Sequence, residues 1–391
     1  MKTTDTKWLN ALCLLFLFKP GIVSGLVSLR VVDVLFDAMR FLVMALCIMV
    51  LFVKRGKLPK NRSLYVVVLI LFGEIWKIIS TVVNGTSYYS WGALLNTFGI
   101  AIFSYLSVNY NKEDFFDGAS ILFGSYVVIN TLTVFLFPNG VYASTMYTQN
   151  FFLSYRNAWF VFYLLALYVC LLSNELYPSK QKVIWLIIVI TCEYASMIHE
   201  WTANSMLCIT IGLILIVFWN KQKLPVFSVN AVFLAELAIS VGLVYFHIQE
   251  KMLFFVVGIL KRDPTLSQRV RIWNNALQAI QDKVWIGHGS MDSTTASTFF
   301  GYGVNHAHSY YLNTLFYYGV IGLIIGLALV YYAFSSPREK DRKKNMRINA
   351  INVGVLVALL TALQGESMMS IGYYACLIYI IAADLNSGLA I

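Results

Sequence analysis

The chain has 391 residues, of which 59% are hydrophobic, 15% aromatic and only 12% charged, with a formal net charge of +10. Apolar runs of roughly 20 residues recur along it, which excludes a water-soluble globular protein and marks an integral membrane protein. The polar stretches are too short to bury cores of their own, so residues 1–391 read as one membrane domain, and the basic excess reads as a topology signal rather than a nucleic-acid surface.

In chain order, apolar segments fall near residues 8–29, 34–53, 64–83, 88–108, 115–137, 158–176, 183–199, 203–219, 226–248, 309–333, 349–364 and 368–384. Each is long enough to predict a crossing, so the fold class is an all-α polytopic transmembrane bundle of about 12 spans. The first segment follows a basic start but lacks a small-residue cleavage site, and reads as a retained span. The basic clusters KRGKLPKNR (54–62), Lys180 and Lys182, Lys221 and Lys223, and PREKDRKKNMR (337–347) then share one side, the cytoplasm. Glu74 and Lys77 lie three apart in one apolar run, placed to pair with each other. All six cysteines (Cys13, Cys47, Cys170, Cys192, Cys208, Cys376) lie within spans, so disulfides play no part in the reading.

One long polar stretch, 249–307, is left as a large extracytoplasmic loop. It carries Lys251, Lys261, Arg262, Arg269, Arg271 and Lys283 against four carboxylates, and an outward excess of cations has no topological reason. Within it, DPTLSQRVRIWNNALQAIQDKVWIG predicts an amphipathic helix along the membrane surface: Thr265 and Gln268 fit a capping box, and Trp273, Leu277, Ile280 and Val284 form an apolar stripe. Arg269 and Arg271 fall in its first turns, where the helix dipole and the guanidinium groups would both welcome an anion.

All five histidines (His199, His247, His288, His306, His308) map to outer span ends or to this loop. On a continuous helix, Gly319, Gly322 and Gly326 return within roughly 40° of the direction of His308, while His306 lies about 200° away. This arithmetic sets His308 at the outer mouth of a packed face and turns His306 elsewhere. A zinc site from His288, His306 and His308 lacks a cysteine or carboxylate to complete it, so no metal and no cofactor are expected.

Two blocks carry a family resemblance. One is S-x-R-x-x-x-W (Ser267, Arg269, Trp273) leading to W-I-G-H-G, and the other is H-S followed by G-x-x-G (His308, Ser309, Gly319, Gly322). A weaker third is Arg156 and Asn157 in FFLSYRNAWFVFYLLA. In order and setting these resemble the O-antigen polymerase and O-antigen ligase superfamily. The resemblance implies a GT-C-like glycosyltransferase that moves an oligosaccharide from an undecaprenyl diphosphate carrier to a sugar hydroxyl, at the outer face of a bacterial plasma membrane. Arg156, Arg269 and Arg271, with Asn157 and His306, would then bind substrate; His308 would be the catalytic base, with a pKa near the operating pH; and Glu366 or Glu200 would orient it or share its role. A polymerase of lipid-linked repeat units is favoured, with undecaprenyl-diphosphate-linked oligosaccharide as donor and acceptor and a chain-length regulator as a further partner. A ligase to lipid A core is the alternative within the family. A flippase for the same lipid-linked sugars is the alternative from another class, and would need essential charges at mid-membrane between inverted repeats.

Overall fold

The computed structural model describes residues 6–54, 58–86, 90–144, 147–220, 229–251, 257–258, 269–301, 303–335, 346–365 and 371–387. The described chain is helical, with two isolated β-bridges in the 142–154 loop. In order the α-helices are α1 Thr6–Leu17, α2 Gly21–Gly25, α3 Arg30–Val53, α4 Arg62–Val83, α5 Trp91–Tyr110, α6 Lys112–Leu136, α7 Trp159–Leu176, α8 Lys180–His199, α9 Ala203–Asn220, α10 Val229–Val244, α11 Arg269–Asp282, α12 Ser293–Phe300, α13 Tyr310–Phe334, α14 Met346–Gly365 and α15 Ile371–Ser387.

Every predicted apolar segment overlaps a helix. Among the described residues nine helical segments are long and apolar enough to cross a membrane, and three apolar helices are shorter (Ala203–Phe218, Val229–Val244 and Ala375–Asn386). A count of twelve crossings therefore depends on those three and on Tyr310–Phe334, whose length spans a break.

Apolarity on all sides places α7 at the centre: Trp159 to Cys170 are buried without interruption, as expected of a helix with no solvated or lipid-facing stripe. Around it pack α6, α8, α14 and α15. By contrast α3 exposes Val31, Leu35, Phe41 and Phe52, the surface a peripheral helix turns to hydrocarbon. Helices α9 and α14 cross through small residues. A Cβ on Gly212 would come within 2.8 Å of the Gly354 carbonyl oxygen, and one on Gly354 within 2.7 Å of that of Gly212, so no larger residue fits the crossing.

Helix α13 does not run straight. Gly319 has φ 67° and ψ −172°, inside an otherwise helical segment. Sixteen residues of continuous helix span roughly 24 Å, yet a Cβ on Gly326 would lie only 3.3 Å from the hydroxyl of Tyr310. The segment before Gly319 therefore doubles back beside the one after it. This corrects the expectation of an unbroken span over 309–333, because the 100° rotation per residue stops at the break.

Candidate functional site

Helix α11 forms where the amphipathic pattern predicts it, with the described part starting at Arg269; Ser267, Thr265 and Gln268 lie outside the described residues. Its buried face is Val270, Ile272, Trp273, Ala276, Ala279 and Ile280. Leu277 is half-buried and Val284 exposed, so the stripe is rotated from the predicted one. That face packs on α12 and α13, in one apolar cluster with Phe300, Ala307, Phe316 and Tyr317.

The turn after α11, W-I-G-H-G, locks onto the break in α13. His288 N–H donates to Phe316 O and Gly289 N–H to Tyr317 O, both at 2.8 Å, while Val320 and Ile321 N–H donate to the carbonyls of Val284 and Trp285 at 2.8 and 3.3 Å. The break exposes backbone groups that a helix would satisfy internally, and the turn satisfies them instead. Helix α4 braces the joint: Trp76 Nε1 donates to Tyr318 O (2.9 Å), Asn84 Nδ2 donates to Gly287 O (2.9 Å), and Ser80 Oγ lies 2.6 Å from Ile286 O. The two sequence blocks are thus one structural unit. His288 serves it from within, its Nε2 2.9 Å from Ala279 O and its ring stacked 4.7 Å from Phe316. These contacts make it part of the packing. Among the described residues no three His, Cys, Asp or Glu side chains converge.

The histidine pair sits on the strap that leads into α13. Its middle residue, Ala307, is pinned from two sides: the carbonyl accepts Trp273 Nε1 at 2.9 Å, and the N–H donates to Asn313 Oδ1 at 2.7 Å. Held so, His308 adopts φ 50°, a left-handed backbone that non-glycine residues rarely take and that persists only where the surroundings fix it. The helix begins at Tyr310, so helical arithmetic does not reach the histidines. In place of a 200° separation their rings meet edge to face at 4.1 Å, and His306 Nδ1 accepts the His308 N–H at 3.3 Å. His308 Nδ1 is buried and makes no hydrogen bond.

Arg269 acts electrostatically on both imidazoles. Burial first, then Arg269, lowers the His306 pKa to about 4; burial, then His306, then Arg269, lowers that of His308 to about 3. Both rings are therefore neutral at neutral pH. The expected base near its operating pKa is not what this site holds.

Arg156 and Glu200 form a group of their own. Arg156, in the 3-10 turn before α7, donates to Glu200 O at 2.9 Å and approaches its carboxylate at 3.7 Å, and His199 Nδ1 lies 3.1 Å from the same carboxylate. Glu200 thus belongs to the Arg156 group. Asn157 and Arg271 are exposed. Glu366 lies outside the described residues.

A second polar group near α13 went unread in the sequence. Glu236, in α10, accepts Gln364 Nε2 at 2.7 Å and lies 3.3 Å from the Tyr311 hydroxyl, and Gln364 also bonds Ser240. A lone carboxylate in the apolar run VNAVFLAELAISVGLV is the signal that marks it.

Arginine, strained histidine pair and clamp all fall within residues 201–327, and that stretch matches the family model described as O-antigen ligase. The match is confined to residues 201–327 and supports a membrane enzyme of the O-antigen ligase or polymerase type. The recurring apolar helices support a multi-pass membrane protein. No curated protein matches it. The two sequence blocks, at Arg269 to Gly289 and at His308 to Gly322, both lie in the matched stretch and are those the clamp joins.

Proposed function

We propose that the protein is a polysaccharide polymerase of the O-antigen or capsule type, joining undecaprenyl-diphosphate-linked oligosaccharide units at the outer face of a bacterial plasma membrane, with residues 249–307 outside. The observation that carries the reading is the half-buried Arg269–His306–His308 group, with Arg269 on α11 and the histidines on a strained strap that α11 and α13 hold in place. In the reaction, the acceptor hydroxyl attacks the anomeric carbon of the donor sugar, the bond from that carbon to the diphosphate oxygen breaks, and the diphosphate leaves with the electron pair. Arg269 offsets the charge that develops on it, and its planar fork suits two phosphate oxygens. Arg156, Arg271 and Asn157 extend the donor's binding surface, and Glu366 supports the base.

The hydroxyl proton passes to His308. A base held near pKa 3 by burial, by His306 and by a neighbouring guanidinium is weak. When the anionic diphosphate pairs with Arg269, the guanidinium's share of that depression is offset and the proton affinity of His308 rises, while burial and His306 continue to lower it. His306 orients His308 through its Nδ1 contact and ring packing.

Delivery of finished polymer to a lipid A core is the second reading, favoured by the description of the matching family model. Glycan analysis of a deletion strain separates the two. Single repeat units on the core support the polymerase; long polymer retained on the carrier supports the ligase; and unchanged glycans overturn both.

A further inference from the structure

Between α4, the two arms of α13 and α15 lies a cavity of about 140 Å³, roughly ten times what a single water needs. Its polar wall holds Glu74, Lys77, Tyr310, Asn313 and Tyr318, and Trp76 also lines it. Lys77 Nζ donates to Glu74 Oε1 at 2.7 Å and stands 5.9 Å from the Tyr318 ring centroid. An ion pair within an apolar span is expensive, and such groups are kept where they do work.

A second observation lies on the same wall. Asn313 is 4% exposed; its Oδ1 holds the Ala307 N–H, and its Nδ2 has no hydrogen-bond partner. An unmade bond from a buried amide costs about 1–3 kcal/mol, so the group is suited to a ligand acceptor. Ala307 stands between the two histidines, so the cavity and the strap share a wall.

Resting on the transfer reading above, we infer that this cavity seats the terminal sugar of the acceptor glycan, with its hydroxyls bonded by Glu74, Lys77 and Asn313 Nδ2 and its ring face lying against Tyr310, Tyr318 or Trp76. The charge balance selects the ligand. Glu74 neutralises Lys77 and would repel a diphosphate, whereas a polyhydroxylated ring uses a carboxylate acceptor, an ammonium donor and an amide donor together. The anionic end of the donor belongs beside the Arg269 guanidinium, next to the two imidazoles.

The test uses purified full-length protein in lipid nanodiscs and two probes: the repeat-unit oligosaccharide released from its carrier by mild acid, and inorganic pyrophosphate. Saturation-transfer NMR reads sugar binding. The wild type should bind the oligosaccharide, and Glu74→Gln should weaken binding about tenfold at unchanged shape. Asn313→Asp keeps the oxygen that holds Ala307 and removes the free donor, and should weaken it similarly, with the thermal midpoint reporting that each variant is folded. Pyrophosphate should bind without displacing the sugar, and its binding should fall in Arg269→Ala. Absence of sugar binding by the wild type, full binding by both folded variants, or displacement of sugar by pyrophosphate would each overturn the inference. Conversion of lipid-linked units without sugar binding would sink it alone, and sugar binding without conversion would retire the transfer reading and leave the sugar seat standing.

Discussion

Gly319 is where the account of the fold is most exposed to test, and Gly319→Ala is the perturbation. A Cβ there would stand 2.2 Å from the Trp285 carbonyl oxygen and 2.6 Å from Ile286 N, both backbone atoms that cannot swing aside. The backbone at φ 67° and ψ −172° is a region used almost solely by glycine, at a cost of about 1–3 kcal/mol for another residue. Relief of the clash requires the W-I-G-H-G turn to lift off, releasing four backbone hydrogen bonds worth about 0.5–1.5 kcal/mol each. The sum, about 3–9 kcal/mol, rivals the net stability of a typical domain. Gly303 is the matched control: it too has a positive φ, 68°, but a Cβ there meets nothing within 4 Å, so Gly303→Ala should cost only about 1–2 kcal/mol of backbone strain. In thermal unfolding of detergent-purified protein, Gly319→Ala should lower the midpoint on the order of 5–10 °C more than Gly303→Ala, and it should also abolish polymer. Equal midpoints would refute the clamp, and with it the claim that the two sequence blocks form one unit.

Arg269→Lys keeps the charge but loses the planar fork, so transfer from a lipid-linked donor should fall at least tenfold with insertion unchanged; wild-type rates would show that a point charge suffices. Stability should depend on acid in a stated direction. The folded pKa values of His306 and His308, about 4 and about 3, lie below the ordinary 6.5, so the unfolded chain binds more protons between those limits and the fold loses stability as pH falls from 6.5 to 4. The midpoint of His306→Gln combined with His308→Gln should vary less over that window, and an identical slope would contradict the burial of neutral imidazoles. Ser293 is exposed at the start of α12, and Ser293→Cys should react with a membrane-impermeant maleimide in cells whose outer membrane is permeabilised; labelling only after lysis would place the site on the wrong side.

Much of the fold was legible because hydropathy is local. All twelve apolar segments reappear as helices, and the α11 pattern survives with a rotated stripe, since Ile272, Ala276 and Ala279 are chosen by what α12 and α13 present to them. The site was legible as a set of residues, and its geometry was not. Nothing in H-S followed by G-x-x-G states that Gly319 takes a positive φ, yet that single dihedral folds α13 back and ends the helical count on which the placing of His306 and His308 relied. Histidine acidity was misjudged for a related reason. Burial and the approach of Arg269 are tertiary facts, and together they set pKa values well below the free imidazole. Arg156 reads in sequence as a partner of Arg269, and in the structure it is committed to Glu200. Glu74 and Lys77 were visible as a pair, but the cavity they face appears only when the arms of α13 are set beside α4.

The most direct test of the proposed chemistry compares His308→Ala with His306→Ala in cells, with polymer read on a gel and insertion read by immunoblot. Transfer that depends on a positioned proton acceptor should fall on the order of a hundredfold or more in His308→Ala. His306→Ala, which removes only an orienting contact, should retain measurable polymer. Wild-type polymer from His308→Ala, or its loss in His306→Ala alone, would contradict the assignment of the acceptor proton to His308.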